Sequence, residues 1–597
     1  MSDELAGTGK RPREAWLRAL ERTAPIDRHP AITLPVVVEQ VAAAFPNKPA
    51  LIGEKSSLTY RELTGMARRY AGWAMRQGIG GGIVCLMMPN CPEYLAIWLG
   101  ITRAGGTVAL LDPHLAGESL IHAIDTVRPS RLIAAATLVE AVDAVSPHLG
   151  SKVQIWVHGD GHPRHPRIEA EIEAAASAVL DGPGSPAPTL ADRALCIYTS
   201  GTTGRPKAAT VSHYRLMQWS HWFAGMMDAS DSDRMYNCLP MYHSIGGVAA
   251  PGAMLVSGGS VVLRERFSAS RFWDDVVASE CTVFQYIGEL CRYLVNNPAH
   301  PRETAHRLRL CCGNGLRADI WNRFSQRFCI PQILEFYAAT EANFSLYNCE
   351  GEPGSIGRIP GFLSHRFRVA LVKLDIETGE PLRGDDGFCV RCGPDEHGEA
   401  IAKIGDERAN PGGGFEGYTD PQDSETRILR DVSAPGDAWF RSGDLMRRDT
   451  RGFLYFVDRL GDTFRWKGEN VSTTQVAEVV AGCPGVRDAV VYGVTVPAAE
   501  GRAGMAAVAV NAGFDLAMLQ RRLDANLPEH ARPLFVRVCD AIETTATFKY
   551  KRLQLAREGY DPRLTDDPLY FKESRFGVYV PLTPALYEAI ANASTGP

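Results

Sequence analysis

The sequence predicts an α/β fold with three parts: a large N-terminal domain of parallel or mixed sheets with helices, a β-rich subdomain, and a small α+β C-terminal domain. Apolar, β-branched runs alternate with helical patterns from about Leu34 to residue 330, as in parallel sheets with crossover helices. After Gly351 the strand-like runs are short and separated by turn residues. From about Asp462 onward, two helical and two strand-like patterns follow. A chain of 597 residues exceeds what one hydrophobic core usually organises.

Individual elements of the N-terminal part can be predicted from their apolar patterns. Gly82–Met88 is predicted as a buried strand and Cys91–Arg103 as a helix. Ser244–Leu263 is uncharged and long enough to span a bilayer, but its glycines and proline favour a buried helix followed by a strand. Lys10–Arg22, with Pro12 near its start and Trp16, Leu17 and Leu20 expected on its apolar side, is predicted as a packed N-terminal helix rather than one lying on a membrane surface.

The later elements follow from turn residues and periodicity. Turns are predicted at Asp385–Gly387 and Pro411–Gly414, where glycine and aspartate favour tight reversals. Helices are predicted at Gln475–Val480 and Leu516–Leu527, and strands at Val490–Val496 and Met505–Val510. The domain boundaries expected from these patterns give an N-terminal extension over residues 1–30, a large domain over 31–460 and a small domain over 461–597.

Composition excludes several classes of protein. A net charge of −6 and a pI near 6.2 give no basic face for a nucleic acid. The 14 cysteines lie mostly in apolar runs without paired CxxC spacing, which indicates reduced thiols in a cytoplasm. Residues 1–15 are polar and charged, so no secretory signal is expected. Peripheral contact with the inner membrane surface is left open.

A glycine-rich loop carries the first chemical signal. The strand-like run Leu195–Tyr198 leads into Thr199-Ser200-Gly201-Thr202-Thr203-Gly204-Arg205-Pro206-Lys207. Glycines allow the backbone to approach a polyphosphate, hydroxyl and N–H groups donate hydrogen bonds to it, and a lysine adds positive charge. The loop lacks the spacing of a Walker loop, so the sequence disfavours a P-loop kinase or GTPase.

The complete string TSGTTGRPK resembles the phosphate loop of the adenylate-forming superfamily, which includes acyl-CoA synthetases, luciferases and peptide adenylation domains. Further strings extend the resemblance over nearly the whole chain. Cys312-Gly-Asn-Gly315 is similar to the adenine-contacting turn, which implies that Gly313, Asn314 and Gly315 contact adenine. Phe336–Glu341 is similar to the next motif, which implies that Tyr337 stacks on adenine and Thr340 contacts phosphate.

The resemblance also implies a metal ligand. Glu341 would hold magnesium, which requires hard oxygen ligands and neutralises the triphosphate and the departing pyrophosphate. The cofactors and substrates implied in this way are ATP, magnesium and coenzyme A. Thr340, Glu341 and Lys549 are the residues expected to take part in catalysis.

The C-terminal motifs imply ribose, hinge and catalytic residues. Arg441-Ser-Gly-Asp444 resembles the motif whose carboxylate binds the ribose hydroxyls, and Arg459 would lie near ribose or phosphate. Gly461 stands at the family's hinge position, so the small domain would be mobile about it. Thr544–Lys549 resembles the catalytic-lysine segment, in which the ammonium group orients the carboxylate nucleophile and stabilises charge at the α-phosphate.

Longer strings narrow the resemblance to the fatty acid transport protein and very-long-chain acyl-CoA synthetase family. They are Gln285–Leu294, Gly461–Ser472, Thr547–Lys549 and Asp567–Tyr570. The implied reaction joins a fatty or similarly hydrophobic carboxylic acid to coenzyme A. The implied acyl pocket contains Tyr242, His243, Gly246, Ile287 and Gly288, and the implied coenzyme A contacts are Trp466, Lys467 and Gly468.

Two positions depart from the usual superfamily pattern. Phe548 replaces the glycine before the catalytic lysine, and Ala342 replaces the glycine after Glu341; neither change removes a reacting group. Several alternatives stay open: a bile-acid, steroid side-chain or carnitine-type substrate, transfer to a separate carrier protein, and a lipid-uptake or binding protein without activity. The sequence also leaves acyl length and oligomeric state open, a homodimer included.

Overall fold

The computed structural model describes residues 12–150, 152–173, 187–200, 206–342, 344–375, 378–405, 414–466, 469–497, 499, 501–544, 550–573 and 577–592. The chain divides into two compact units. The first contains Met1–Phe367 and Lys403–Ile428, and the second contains Arg368–Ala402 and Leu429–Pro597. The chain therefore leaves the first unit, returns to it for one short segment, and leaves it again.

The first unit is built from strands that alternate with helices. Its strands are β1 (Pro49–Ile52), β2 (Ser57–Thr59), β3 (Ile83–Met87), β4 (Thr107–Leu110), β5 (Arg131–Ala135), β6 (Gln154–His158), β7 (Arg193–Ser200), β8 (Pro206–Ser212), β9 (Arg234–Asn237), β10 (Ser260–Leu263), β11 (Val283–Ile287), β12 (Leu310–Asn314), β13 (Ile333–Ala338) and β14 (Ser345–Asn348). Its helices are α1 (Pro12–Thr23), α2 (Leu34–Ala44), α3 (Tyr60–Arg76), α4 (Pro92–Arg103), α5 (Gly117–Val127), α6 (Val139–Val145), α7 (Ile168–Glu173), α8 (His213–Met227), α9 (Ala250–Leu255), α10 (Phe272–Ala278), α11 (Gly288–Asn296), α12 (Ala318–Arg327) and α13 (Pro421–Glu425).

These strands form two mostly parallel sheets. The six-stranded sheet has the order β6-β5-β3-β4-β7-β8, and the eight-stranded sheet has the order β14-β13-β12-β11-β9-β10-β1-β2. Antiparallel pairs occur at the edges, at β7 with β8, β13 with β14 and β1 with β2. The inner strands are almost fully buried, as expected for parallel strands covered on both faces.

The second unit contains the predicted β-rich and α+β parts. Its strands are β15 (Val369–Val372), β16 (His397–Lys403), β17 (Ile428–Arg430), β18 (Ala438–Arg448), β19 (Leu454–Arg459), β20 (Phe464–Trp466), β21 (Glu469–Val471), β22 (Val486–Val494), β23 (Ala503–Val510), β24 (Phe535–Cys539), β25 (Leu569–Glu573) and β26 (Val578–Pro581). Its helices are α14 (Thr473–Ala481), α15 (Leu516–Asn526), α16 (Arg552–Glu558) and α17 (Pro584–Ala591).

Separate sheets form the two parts of this unit. One contains β15-β16-β18-β17 with β19 on β18, and the other contains β22-β23-β24-β25-β26. The hairpin β20-β21 lies between them in sequence. Gly461, the predicted hinge and domain boundary, falls in the turn between β19 and β20.

The helices and strands predicted from the sequence are confirmed within small shifts of their ends, whereas the predicted turn at Pro411–Gly414 lies mostly outside the described residues. The strand at Gly82–Met88 is β3, and the helix at Cys91–Arg103 is α4. Ser244–Leu263 forms a π-helix at Ser244–Ala249, then α9 and β10, so the choice of a buried helix followed by a strand is correct. No helix in the described ranges is long and apolar enough to cross a membrane.

The N-terminal helix α1 packs on α8. Trp16 is 2% exposed, and its ring contacts those of Trp222, Tyr347 and Phe367 at centroid distances of 5.7–6.0 Å. The Arg18 Nε atom donates to the Gly225 carbonyl at 3.2 Å. The prediction of a packed helix is therefore confirmed, although Leu17, which was expected on its apolar side, is 39% exposed.

We predict that Gly225→Ala loosens this packing. A Cβ at Gly225 would overlap the backbone of Ala19, so α1 or α8 must shift. The expected cost is about 1–3 kcal/mol of unfolding free energy, which exceeds the gain of about 1 kcal/mol in helix propensity. Thermal unfolding and protease cleavage within α1 would measure it.

The matched control is Gly65→Ala in α3, where a Cβ meets no atom within 4 Å. This variant should be as stable as the wild type or slightly more stable. Equal melting temperatures for Gly225→Ala and Gly65→Ala would contradict the close approach of α1 to α8.

Candidate active site

The antiparallel hairpin β7-β8 carries the ends of the predicted phosphate loop. Thr199 pairs with Lys207, and Ser200 pairs with Pro206. The predicted loop residues Gly201, Thr202, Thr203 and Gly204 lie outside the described residues, as does the side chain of Ser200. The hairpin thus fixes where the loop begins and ends.

Lys207, at the end of this loop, is held by a carboxylate from the segment that returns to the first unit. Its Nζ atom is 2.8 Å from Asp423 Oδ1, and its side chain is 14% exposed. The same Nζ atom lies 5.7 Å from the centre of the Tyr418 ring. An ammonium group over an aromatic face gains electrostatic stabilisation, so Tyr418 and Asp423 together position the lysine.

Tyr418 also joins the hairpin to Glu341. Its hydroxyl donates to Glu341 Oε1 at 2.7 Å, and its backbone forms a bridge with Ala209 of β8. Burial, followed by the Glu341 charge, raises the pKa of Tyr418, so the tyrosine remains a neutral donor. Glu341 is itself only 7% exposed. The predicted metal ligand therefore lies beside the strand that carries Lys207.

Thr340 is fixed by two further contacts. Its hydroxyl is 3.0 Å from that of Ser244, and its carbonyl accepts from Arg215 Nη1 at 3.0 Å. The Arg215 side chain is 7% exposed, and its Nε atom is 3.4 Å from Glu416 Oε1. Arg215 thus links the first turn of α8 to the Thr340 motif.

Glu416 in turn orients the start of α8. It accepts from the Ser212 hydroxyl at 2.6 Å and from the Ser212 backbone N–H at 2.8 Å. The Ser212 oxygen accepts from the Arg215 N–H at 3.1 Å, which satisfies one of the unpaired donors of a helix N-terminus. The polar groups between β8 and Thr340 therefore form one connected network.

The predicted acyl-pocket residues lie at the carboxyl ends of β9 and β11. The rings of Tyr242 and His243 are 4.4 Å apart. The Gly246 carbonyl accepts from Asn237 Nδ2 at 2.7 Å, at the end of β9. Ile287 ends β11 and Gly288 begins α11.

The predicted adenine turn directly adjoins Gly288, one of the residues predicted for the acyl pocket. Gly313 and Asn314 end β12, and Gly315 follows with φ of +80°. A Cβ on Gly288 would overlap the Gly315 carbonyl, so the two loops can approach only because Gly288 has no side chain. Tyr337, the predicted stacking residue, is half-buried on β13, with its ring centre 5.7 Å from that of Phe344.

A buried carboxylate lies behind the adenine turn. Glu335 on β13 is 2% exposed. Its Oε2 accepts from the Tyr286 hydroxyl at 2.5 Å, and its Oε1 accepts from the Leu316 N–H at 3.1 Å. Burial raises the pKa of Glu335 to about 8, and these donors offset part of that rise. The carboxyl group thus titrates near neutral pH.

In the second unit, Asp444 and Arg459 come together. They are directly opposite residues of the antiparallel pair β18-β19, and Arg459 Nε lies 3.7 Å from Asp444 Oδ1. Asp444 has a side chain that is 13% exposed, and Arg459 one that is 48% exposed. The sheet register therefore explains why two residues 15 positions apart share one site.

The other two predicted residues of this unit that the structure describes, Trp466 and Gly461, have different surroundings. Trp466 is 4% exposed and packs in the core of the unit. Gly461 is exposed, and a Cβ there would meet nothing within 4 Å. The predicted residues Lys467, Gly468 and Lys549 lie outside the described residues.

The segment that carries Lys549 nevertheless has a described stem. Thr544 forms a bridge with Tyr550, and the Lys551 N–H donates to the Glu543 carbonyl at 3.0 Å. The Tyr550 hydroxyl donates to Asp488. The two ends of the lysine segment are thus held next to each other.

Several residues of this arrangement were not predicted: Tyr418, Glu416, Arg215, Asp423 and Glu335. Most of their contacts join positions far apart in sequence, as with Tyr418 and Glu341. No local pattern marks such pairs. Only the position of Glu335, immediately before the aromatic motif at Phe336, could have drawn attention to it.

Comparison with known proteins identifies the family. A family model described as AMP-binding enzyme matches residues 38–399, and one described as AMP-binding enzyme C-terminal domain matches residues 475–549. The chain belongs to the AMP-binding enzyme family. The resemblance found in the sequence is therefore confirmed.

Relatives within this family are similar over most of their length. Long-chain fatty acid transport protein 1 of Mus musculus is 40% identical, over 94% of this chain and 87% of the relative. The medium/long-chain-fatty-acid–CoA ligase FadD6 of Mycobacterium tuberculosis is 39% identical, over 91% of this chain and 89% of the relative. The solved structure of a benzoate CoA ligase from Burkholderia xenovorans LB400 has a TM-score of 0.73 at 22% identity, over 88% of this chain and all of that one. The last similarity confirms the predicted fold class.

The buried carboxyl of Glu335 gives a prediction about pH. Because the pKa is raised from 4.5 to about 8, the folded state keeps a proton between these values that the unfolded state has lost. Stability contributed by this group therefore falls as pH rises through that window, with a limiting slope of about 1.4 kcal/mol per pH unit.

Glu335→Gln removes the titration and should flatten this part of the profile. The measurement is the melting temperature of the wild type and of Glu335→Gln from pH 5 to pH 8.5. The difference between the two melting temperatures should change most with pH below pH 8. Parallel profiles over the whole range would contradict the raised pKa.

Proposed function

We propose that this protein is an ATP-dependent acyl-CoA synthetase that joins a long-chain fatty acid to coenzyme A through an acyl-adenylate. The observation that carries the proposal is the meeting of three motifs in the first unit. Tyr418 contacts both Lys207 and Glu341, and Ser244 contacts Thr340. Lys207, the candidate magnesium ligand Glu341 and the residue that follows His243 are thereby linked by direct contacts.

The names of the relatives support the choice of substrate. One is named a long-chain fatty acid transport protein and another a medium/long-chain-fatty-acid–CoA ligase. The run Ile245–Ala250 around Gly246 contains no polar side chain, which suits a hydrophobic acid. Long-chain acids are therefore the substrates that we expect to react fastest.

The reaction has two steps. In the first, a carboxylate oxygen attacks the α-phosphorus of ATP, the bond to the bridging oxygen breaks, and pyrophosphate leaves. In the second, the sulfur of coenzyme A loses its proton and attacks the acyl carbon, and AMP leaves. The products are acyl-CoA, AMP and pyrophosphate.

Individual residues are assigned to these steps by motif. Thr199–Gly204 and Lys207 bind the phosphates, Gly313–Gly315 and Tyr337 bind adenine, Asp444 binds ribose, and Arg459 lies near ribose or phosphate. Thr340 contacts a phosphate. Lys549 stabilises the charge that develops during adenylation. The Trp466–Gly468 loop, with the Trp466 side chain held in the core, contacts coenzyme A through Lys467 and Gly468 after rotation about Gly461.

Magnesium fits the chemistry of the first unit. It prefers oxygen ligands, and Glu341 offers a buried carboxylate whose Oε1 is oriented by the Tyr418 hydroxyl. When bound, magnesium would neutralise phosphate charge. The location that we propose is the cytoplasm, where the 14 free cysteine thiols would stay reduced.

The first experiment measures AMP and acyl-CoA formation with ATP, magnesium and coenzyme A. The acids run from short to very long chains and include bile and aromatic acids. AMP and thioester from long-chain acids would support the proposal. Adenylate without thioester would indicate a carrier protein as acceptor. Turnover of bile acids alone would show that the substrate is a bile acid and not a fatty acid. No product from any acid would contradict the proposed activity.

We predict that Lys549→Ala loses adenylation much more than it loses thioester formation from supplied acyl-AMP. Removing one transition-state donor commonly costs about 10²–10³ in rate. The two half-reactions are measured separately, by pyrophosphate release and by acyl-CoA formation.

Lys551→Ala is the matched control, because Lys551 is 51% exposed and pairs with Glu543 at 2.7 Å. It should keep both half-reactions. If Lys549→Ala slowed the two steps equally, the role assigned to this lysine would be wrong.

A further inference from the structure

The hydrogen bond between the buried side chains of Tyr286 and Glu335 joins two strands of the eight-stranded sheet that are not neighbours. Tyr286 lies on β11 and Glu335 on β13, with β12 between them. Their hydrogen bond of 2.5 Å therefore passes over β12. The strand in between ends in the turn Gly313–Gly315.

Gly313 leaves the space that this contact needs. It pairs directly with Tyr286 on one side and Glu335 on the other. A Cβ on Gly313 would overlap the Tyr286 ring, so any other residue would displace the tyrosine from the carboxylate. The turn and the buried pair are thus sterically coupled.

Glu335 also holds the chain that leaves the turn. Its Oε1 accepts from the Leu316 N–H at 3.1 Å, and Leu316 directly follows Gly315. Leu316 is 3% exposed, so its N–H has little access to water. Without the carboxylate, this donor would be left buried and unpaired, which is costly.

We propose that Glu335, supported by Tyr286, is a positioning residue that holds the Gly313–Gly315 turn in the conformation that receives the adenine of ATP. This inference rests on the proposed function, since it takes the turn to be the adenine site. Glu335 acts through the Leu316 backbone and does not touch the nucleotide.

The proposal explains why a carboxylate occupies this position. Burying a carboxyl group costs free energy, so its presence in a core needs a reason. An apolar residue at 335 could fill the same volume, but it could not accept from both Tyr286 and Leu316. The advantage of Glu335 over such a residue is therefore the fixed geometry of the turn.

The test measures steady-state kinetics of Glu335→Ala, Glu335→Gln and Tyr286→Phe in the full chain. Glu335→Ala should raise the KM for ATP about tenfold while kcat and the KM values for the acid and coenzyme A change less than about threefold. Glu335→Gln keeps an acceptor for Leu316 and should raise the KM less. Tyr286→Phe, which keeps the ring over Gly313, should have an intermediate effect.

Product inhibition locates the effect within the nucleotide. AMP contains adenine and pyrophosphate does not. Inhibition by AMP should weaken by the same factor as ATP binding in Glu335→Ala, and inhibition by pyrophosphate should be unchanged. Equal weakening of both would place the defect at the phosphates and overturn the inference.

Asp233→Asn is the matched control. Asp233 is another buried carboxylate of this sheet, 3% exposed, at the amino end of β9, where it pairs with Arg309 at 2.7 Å. This variant should lose stability without any selective change in the KM for ATP. If Glu335→Ala behaved in the same way, with a lower melting temperature and an unchanged KM for ATP, the carboxylate would be structural only.

The two proposals fail in different ways. If the wild type forms no AMP from any acid, the proposed function fails, and direct binding of AMP to the wild type and Glu335→Ala then tests the inference. Equal AMP affinities would reject it. If the wild type is active and Glu335→Ala keeps the wild-type KM for ATP, only the inference fails.

Discussion

The site depends on pairing polar groups that would otherwise be buried without partners. Parallel strands end with backbone N–H and carbonyl groups that the sheet no longer pairs, and loops that cross a buried sheet edge need other partners. In the first unit those partners are ionisable side chains: Arg215 for the Thr340 carbonyl, Glu335 for the Leu316 N–H, and Glu416 for the start of α8. The loops at these strand ends are therefore held by specific hydrogen bonds and not by packing alone.

The topology of the first unit brings these loops together. Crossover helices set neighbouring parallel strands side by side, so the loops after β9, β11, β12 and β13 meet at one edge. Close approach between them is permitted where a side chain is missing, as at Gly288. The acyl and adenine subsites that we propose are adjacent for this topological reason, although their motifs are far apart in sequence.

Sequence alone predicted the fold class and the chemical motifs, because both depend on local patterns. The periodicity of Gly82–Met88 and Cys91–Arg103 is sufficient to identify a buried strand and a helix, and a string such as TSGTTGRPK is recognisable by itself. Exposure was predicted less well: Leu17 lies on the outside of α1 although Trp16 beside it is buried. The rotation of a single helix on its neighbour depends on tertiary packing, and here the close approach at Gly225 sets it.

The supports of the site could not be predicted in the same way. Tyr418 and Glu341 are separated by 77 positions, and nothing near either residue indicates the other. Asp444 and Arg459 each belong to a recognisable motif, but their contact was not predicted and follows from the register of β18 on β19. Residues that contact a ligand belong to short sequence motifs. The residues that position those ligand-contacting residues are specified only by the three-dimensional arrangement.

The return of Lys403–Ile428 to the first unit limits where the chain can be divided into fragments. A fragment that stops at residue 399, where the match to the larger family model ends, would lack Glu416, Tyr418 and Asp423. Arg215 and Glu341 would then lose partners within their own unit. Exchange of domains between relatives is therefore best attempted at a junction after this segment, because a cut before it separates the two halves of one hydrogen-bond network.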